Sequence, residues 1–233
     1  MSAIFGIINK NEKPVEERLV QKMQESLIHR AVDGKGTWHS DYILLGHHKL
    51  TITPQQEDEY LPYEDENWVI TADARLINRD YLVNRLQNEI TDRKRVTDSF
   101  LLLASFRKWD KKCLEYIEGE FAFAIWNKRT KQLFCAVDPI GFRPLFYHDT
   151  PSAFVFSSEM KGILAVKETP NLFNEASLVG YFFGQPDLTK TYDDEIFALC
   201  GGNQLILRAD RILIEKYWSP QPQGKYRFKR DAE

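Results

Sequence analysis

Cysteine is scarce in this 233-residue chain: Cys113, Cys135 and Cys200 stand far apart, with no Cys-x-x-Cys pair and no histidine cluster beside them. That spacing excludes a disulfide framework or a zinc knuckle. It fits a reducing compartment, where a buried thiol such as Cys135, set in an apolar stretch, behaves as an inert small hydrophobe. Surplus charge is lacking as well. With 31 Lys and Arg against 34 Asp and Glu, a net charge of −3, the chain has no general footprint of a nucleic-acid binder. No apolar run reaches the length of a membrane span, and the first residues do not form a charged-then-apolar signal segment. The expectation is a cytoplasmic protein with neither membrane nor nucleic acid as partner, and without a metal. Internal repeats and low-complexity tracts are also missing.

Aromatic residues are plentiful. Fifteen Phe and ten Tyr favour a sheet-rich fold, because aromatic rings suit a pleated, half-buried surface. Apolar and β-branched residues from Ile4 to Ile8 read as a strand that begins at the very N-terminus. Helical spacing of Leu19, Met23, Leu27 and Ile28 predicts a helix over residues 15–30, broken by Asp33-Gly34-Lys35-Gly36. Short strands are expected over 37–40, 42–47 and 50–53, followed by an exposed acidic loop over 54–66. Next come a strand over 68–76 and helices over 78–88, with Asn78 as N-cap, and over 97–109. Strands over 121–126, 133–137, 145–147 and 153–156 are nearly continuous apolar runs, which predicts that both their faces are covered. Phe121, Phe123, Ile125, Phe134 and Val137 are expected between two sheets. Helices over 159–166 and 175–183 and a hairpin over 203–217, turning at Ala209-Asp210, complete the pattern. Hairpin-linked strands with interspersed helices give an α+β fold, layered helix–sheet–sheet–helix.

Chemistry is concentrated at few places. A strand starting at residue 2 or 3 sets Ser2 at the edge of a core. Ser2 could be an ordinary strand residue or, once Met1 is removed, a nucleophile whose own α-amine acts as base. His47 and His48 are adjacent on a strand, point to opposite faces and cannot chelate a metal together. The Asp33-Gly34-Lys35-Gly36 loop is too short to cradle phosphate and is followed by a strand.

Several segments then align in unbroken order with one family. Met1-Ser2-Ala3-Ile4-Phe5-Gly6-Ile7, His29-Arg30-Ala31-Val32-Asp33, Leu45-Gly46-His47-His48-Lys49-Leu50-Thr51-Ile52 and Gly119-Glu120-Phe121-Ala122-Phe123-Ala124 resemble motifs of the N-terminal glutaminase domain of class II glutamine amidotransferases, specifically the asparagine synthetase branch. Asp138-Pro139-Ile140-Gly141-Phe142-Arg143-Pro144-Leu145 and Ser158-Glu159-Met160-Lys161 extend the resemblance, which spans roughly residues 1–218. It implies an N-terminal-nucleophile (Ntn-hydrolase-like) fold, a four-layer α/β/β/α sandwich of two antiparallel sheets between helix layers.

The resemblance also implies a glutamine site, and here the sequence departs from it. Ser2 stands where the family has its nucleophilic Cys, and Ala3 where it has Gly. Lys49 replaces the Arg that grips the substrate carboxylate, a point charge in place of a bidentate fork. Asp73-Ala74-Arg75 replaces the family's Asn-Gly-Glu, so an oxyanion-hole donor becomes an acceptor. Asp98 retains the position that holds the substrate's amino group. Together Ser2, Lys49, Asp73 and Asp98 read as a vestigial glutamine pocket without glutaminase activity.

Such eroded domains resemble those of β-lactam synthetases and of lasso peptide macrolactam cyclases, ATP-dependent enzymes that form amides. These continue into a synthetase domain with a Ser-Gly-Gly-x-Asp-Ser loop. No such motif occurs here, and residues 219–233 read as a linker towards an absent C-terminal synthetase domain. ATP and Mg2+ are expected to belong to that domain, with a precursor peptide as a further partner. An active Ser2 amidohydrolase, a glutamine-hydrolysing relative with an altered nucleophile, and a standalone ligand-binding module are the alternatives.

Overall fold

The computed structural model describes residues 1–90, 96–209 and 211–221. Residue alternation builds its layers. In β6 (Gly119–Asn127), Phe121, Phe123 and Ile125 project to one side, and Ala122, Ala124 and Trp126 to the other. One sheet runs in the order β12-β11-β7-β6-β5-β4, with β4 Tyr63–Glu64, β5 Trp68–Leu76, β7 Gln132–Val137, β11 Asn203–Arg208 and β12 Arg211–Lys216. The other runs β10-β8-β9-β1-β3-β2, with β1 Ala3–Asn9, β2 Gly34–Ser40, β3 Ile43–Lys49, β8 Phe146–Asp149, β9 Ala153–Ser157 and β10 Phe197–Ala198. Every neighbouring pair is antiparallel.

Helices close both outer faces. On the first sheet, α3 (Asp98–Trp109) and α2 (Arg79–Arg85) bury Leu101, Leu102 and Leu82 with Phe121, Phe123 and Phe134. On the second, α1 (Glu17–Ser26) and α4 (Met160–Leu164) bury Met23 and Ile163 with Phe5, Ile7 and Leu44. The result is the expected four-layer α/β/β/α sandwich.

The central layer differs from expectation in composition. Phe121, Phe123, Ile125 and Phe134 pack against the helices; of the five residues expected between the sheets, only Val137 lies there. Small Ala122 and Ala124 face inward instead, in the same cluster as Phe154 and Phe156 of β9. Sheets separated by about 10 Å cannot both present rings at the same spot. Bulk on one sheet therefore meets alanine on the other. Within the second sheet, Gly6 is the cross-strand partner of Phe156 and makes room for its ring, since a Cβ there would come within 2.3 Å of it.

Other departures are local. Residues 50–53 form no strand, because β3 ends at Lys49, the Leu50 backbone bonds the Ser2 hydroxyl, and the chain enters a short 3-10 turn over Pro54–Gln56. Part of the acidic segment expected to be exposed is buried, at Gln56, Glu59 and Leu61. β2 begins at Gly34, where a loop was expected. Asn78 occupies the N-cap position of α2 as expected, but its side chain makes no capping bond; its amide bridges the Tyr116 carbonyl and the Glu118 N–H. The helix α5 (Glu175–Phe182) buries none of its residues. Asp210 of the expected turn, and residues 222–233 of the expected linker, lie outside the described residues.

Candidate functional site

Parity along the strands decides which polar groups meet. Ile4 and Ile8 face the opposite sheet, so Ser2, two residues before Ile4, shares their side. Ile43 and Leu45 set the same side for Lys49 on β3, and Val69 sets it for Asp73 on β5. Ser2, Lys49 and Asp73 therefore lie on strand faces directed at the inter-sheet layer. Asp98 comes from elsewhere, the first turn of α3, where the Thr97 hydroxyl accepts from the Phe100 N–H and caps the helix.

Each of the four is held by the chain itself. The Ser2 hydroxyl accepts from the Leu50 N–H at 3.1 Å and donates to the Leu50 carbonyl at 3.4 Å. Arg30 Nη1 donates to the Ser2 carbonyl at 3.2 Å. Lys49 Nζ donates to the Glu57 carbonyl at 2.8 Å and lies 5.3 Å from the Tyr60 ring centroid. Asp98 Oδ2 accepts from the Leu76 N–H at 3.0 Å, and its other oxygen pairs with Arg79. Asp73 pairs with Arg143, whose second arm reaches Glu120 at 3.0 Å.

The electrostatics follow from this crowding. Burial pushes the Asp73 carboxyl above its usual range, against the pull of Arg143, the Met1 amine, Arg30 and the Ser2 N–H. Burial lowers the Met1 amine, which the Asp73 charge opposes. A carboxylate in this position cannot donate to a developing oxyanion, and its field would oppose one. With Met1 in place, the Ser2 nitrogen is an amide and has no lone pair to act as base.

Sequence reasoning missed Glu59, Arg79, Arg143, Arg30 and Glu159 as parts of this region. Glu59 is buried, accepts from the Ser99 N–H at 3.0 Å and is raised by burial, while Lys49 pulls the other way. Its acidic neighbours Glu57 and Asp58 are exposed and hid it in what reads as a solvated run. Gln56 anchors the same segment: its amide donates to the Ala74 carbonyl at 3.2 Å and accepts from the Ile52 N–H at 2.9 Å. Arg30, Arg143 and Glu159 stood inside the matching motifs, but nothing in their spacing indicated their partners. Glu159 gathers Arg30, His29 and Lys161. Burial alone would raise its carboxyl, yet hydrogen bonds from Lys161, His29 and Arg30 outweigh that and bring it down to about 2.

Asp138 orders the turn that delivers Arg143. Its Oδ1 accepts from the N–H groups of Ile140, Gly141 and Phe142 at 3.0, 2.8 and 3.1 Å, and its Oδ2 from the Arg143 N–H at 3.0 Å. The histidines stay apart as expected. His48 contacts the Leu27 carbonyl through Nδ1 at 3.0 Å and the edge of Phe5, and the Nε2 atoms of both His47 and His48 are buried without a hydrogen-bond partner among the described residues. No group of three His, Cys, Asp or Glu side chains among the described residues is arranged to hold a metal ion. No helix among them is long and apolar enough to cross a membrane.

Comparison with known proteins gives the fold and the family. The glutamine phosphoribosylpyrophosphate amidotransferase of B. subtilis, solved with ADP and GMP, superposes with a TM-score of 0.68 over 94% of this chain and 50% of its own, at 17% identity. That likeness shows the fold. The glutamine-hydrolyzing asparagine synthetase 3 of Bacillus subtilis is 27% identical over 94% of this chain and 37% of its own length. A putative glutamine-hydrolyzing asparagine synthetase 2 of Methanocaldococcus jannaschii is 29% identical over 94% of this chain and 46% of its own. The chain thus spans less than half the length of these curated relatives. A family model of the glutamine amidotransferase domain matches residues 1–218, and the chain belongs to that family.

Proposed function

We propose that this chain is a glutamine amidotransferase-type domain that no longer hydrolyses glutamine and serves structurally beside a synthetase domain. The parent activity would be ATP-dependent amide or lactam formation, of the lasso peptide cyclase or β-lactam synthetase type. In such reactions an amine of the substrate itself replaces ammonia, so a glutaminase is dispensable. ATP and Mg2+ would be held by the synthetase domain, and a precursor peptide fits the cyclase form of the reading. Residues 1–218 would form the amidotransferase-like domain and residues 219–233 the connection to its partner.

One observation carries the reading: every polar group at the four pocket positions already has a partner within the chain. Arg79 takes the place beside Asp98 that the resemblance assigns to the substrate's amino group. Lys49 spends its ammonium on the Glu57 carbonyl, and Asp73 is paired with Arg143. A glutamine molecule would have to displace these contacts and still meet a carboxylate where a donor is needed.

The test is glutaminase assay of the 233-residue protein and of Ser2→Ala, with mass spectrometry of the N-terminus. Glutamate release should stay at the uncatalysed background in both, with Met1 retained or removed. Ser2-dependent release from glutamine or another amide would overturn the reading in favour of an active hydrolase. Supplying a synthetase domain in trans should yield ATP-dependent amide formation that Ser2→Ala leaves intact.

A further inference from the structure

A groove of about 730 Å3 lies on the outer face of the sheet that carries β12, beside the end of α3. None of the four pocket positions lines it. Helix α3 packs mainly over β5 and reaches β7 through Phe106 against Phe134, while Leu213 on β12 stays 52% exposed.

Strand register gives the groove two rows. Ile125, Phe134, Ile206 and Leu213 are successive cross-strand partners on β6, β7, β11 and β12 and form an apolar floor. Asn127, Gln132, Arg208 and Arg211 form the parallel row two residues along. Phe106 of α3 makes the side wall, tilted against Phe134 with ring centroids 4.7 Å apart and edge-on to Trp68 at 5.4 Å.

The charge around this floor is one-sided. Among the described residues, Arg107, Lys111, Arg129, Arg208 and Arg211 line the groove, with Asp110 as the lining carboxylate. Arg107 is paired with Asp65, and Lys111 with Glu215. Arg208 contacts the neutral Gln132 amide oxygen, and neither it nor Arg129 or Arg211 has a carboxylate partner among the described residues. Three such guanidinium groups on one rim, in a protein of net charge −3, are complementary to carboxylates, which a guanidinium fork grips bidentately.

We infer that this groove binds an acidic amphipathic peptide segment of a partner protein, its apolar side chains on the Ile125–Leu213 row and its carboxylates on Arg129, Arg208 and Arg211. The dimensions suit a polypeptide. Three strand spacings from β6 to β12 make a trough of roughly 14 Å, the span of about four extended residues. The two rows stand about 7 Å apart, so one face of the segment is apolar and the adjoining side acidic. The trough opens at β12, an edge strand whose outward backbone groups can pair with an incoming chain.

Titrating the 233-residue protein against a fluorescein-labelled ten-residue peptide of alternating Leu and Glu tests this. Saturable binding that weakens with added salt is expected. It should fall about tenfold or more in Arg208→Glu/Arg211→Glu and, separately, in Leu213→Asp, with thermal midpoints checked to show that each variant folds. Arg208→Gln/Arg211→Gln serves if the charge reversal does not fold. A Leu–Lys peptide of the same length should not bind. Absence of saturable binding, equal binding of the Leu–Lys peptide, or indifference to the arginine variants would overturn the inference. So would decanoate binding there as tightly as the peptide and displacing it, which would make the groove a site for small amphiphiles.

Discussion

Arg143 Nη1 lies 3.3 Å from Asp73 Oδ2, with the two side chains only 3% and 4% exposed. The pair joins a turn ordered by Asp138 to the strand that would carry the oxyanion hole. Removing one partner of a buried pair leaves the other charge uncompensated, which costs about 3–5 kcal/mol. Arg143→Met should destabilise the protein by that order in urea unfolding, and Asp73→Asn combined with Arg143→Met should recover part of it. A loss below about 1 kcal/mol in the single variant would show that the pair does not organise the region.

Phe123 belongs to the layer between β6 and α3, tilted towards both Phe121 and Phe134 at centroid separations of 5.6 and 5.9 Å. Phe123→Ala should cost about 3–5 kcal/mol, because the surrounding helix and sheet cannot collapse fully into the space. The inward neighbour Ala124 tests the other layer. Enlarging it to Leu should destabilise by about 1–3 kcal/mol, through overpacking against the opposite sheet. Chemical denaturation of both variants separates the two layers.

His47 carries a pH dependence. Burial, reinforced by His48 and Lys49, holds its pKa down to about 3. A base whose folded value lies below its unfolded value of about 6.5 contributes fully above the unfolded value. That contribution is lost as pH falls through the window from about 6.5 towards about 3. His47→Leu should therefore flatten the decline of thermal midpoint across the upper part of that window. Parallel curves for the wild type and the variant would assign the decline to other groups.

Phe182 and Phe183, 75% and 79% exposed, sit at the end of α5 with Tyr181 and Val179 also exposed. The inner sheet faces are packed against each other, and α5 presents an exposed aromatic surface. Replacing Phe182 and Phe183 with Ser should raise solubility and reduce self-association by light scattering, with little change in thermal midpoint. If a synthetase domain binds this face, its affinity should fall in the same variant.

Much of the fold was legible because alternation is a local property. The N-terminal strand, the Phe-Ala-Phe-Ala strand and the apolar hairpins follow from period-two patterns that any sheet must satisfy. The motifs matching the family carried the order of elements and the positions of Ser2, Lys49, Asp73 and Asp98. Which side of β6 meets helices was not legible, because periodicity separates two faces without naming their neighbours. Only packing against Phe154 and Phe156 made the alanine face the inner one.

Partner identity depends on the fold in the same way. Charge composition shows Glu59 among solvated acids, and only the bonding of Leu50 to Ser2 and the anchoring of Gln56 carry it to the Ser99 N–H. Asp98 is 19 residues from Arg79 and Asp73 is 70 from Arg143, separations at which sequence spacing says nothing about distance. The sequence alone determined which residue types stand at the pocket positions. Tertiary structure decided that those residues are occupied, because buried charges must find partners and the fold supplies them from within the chain.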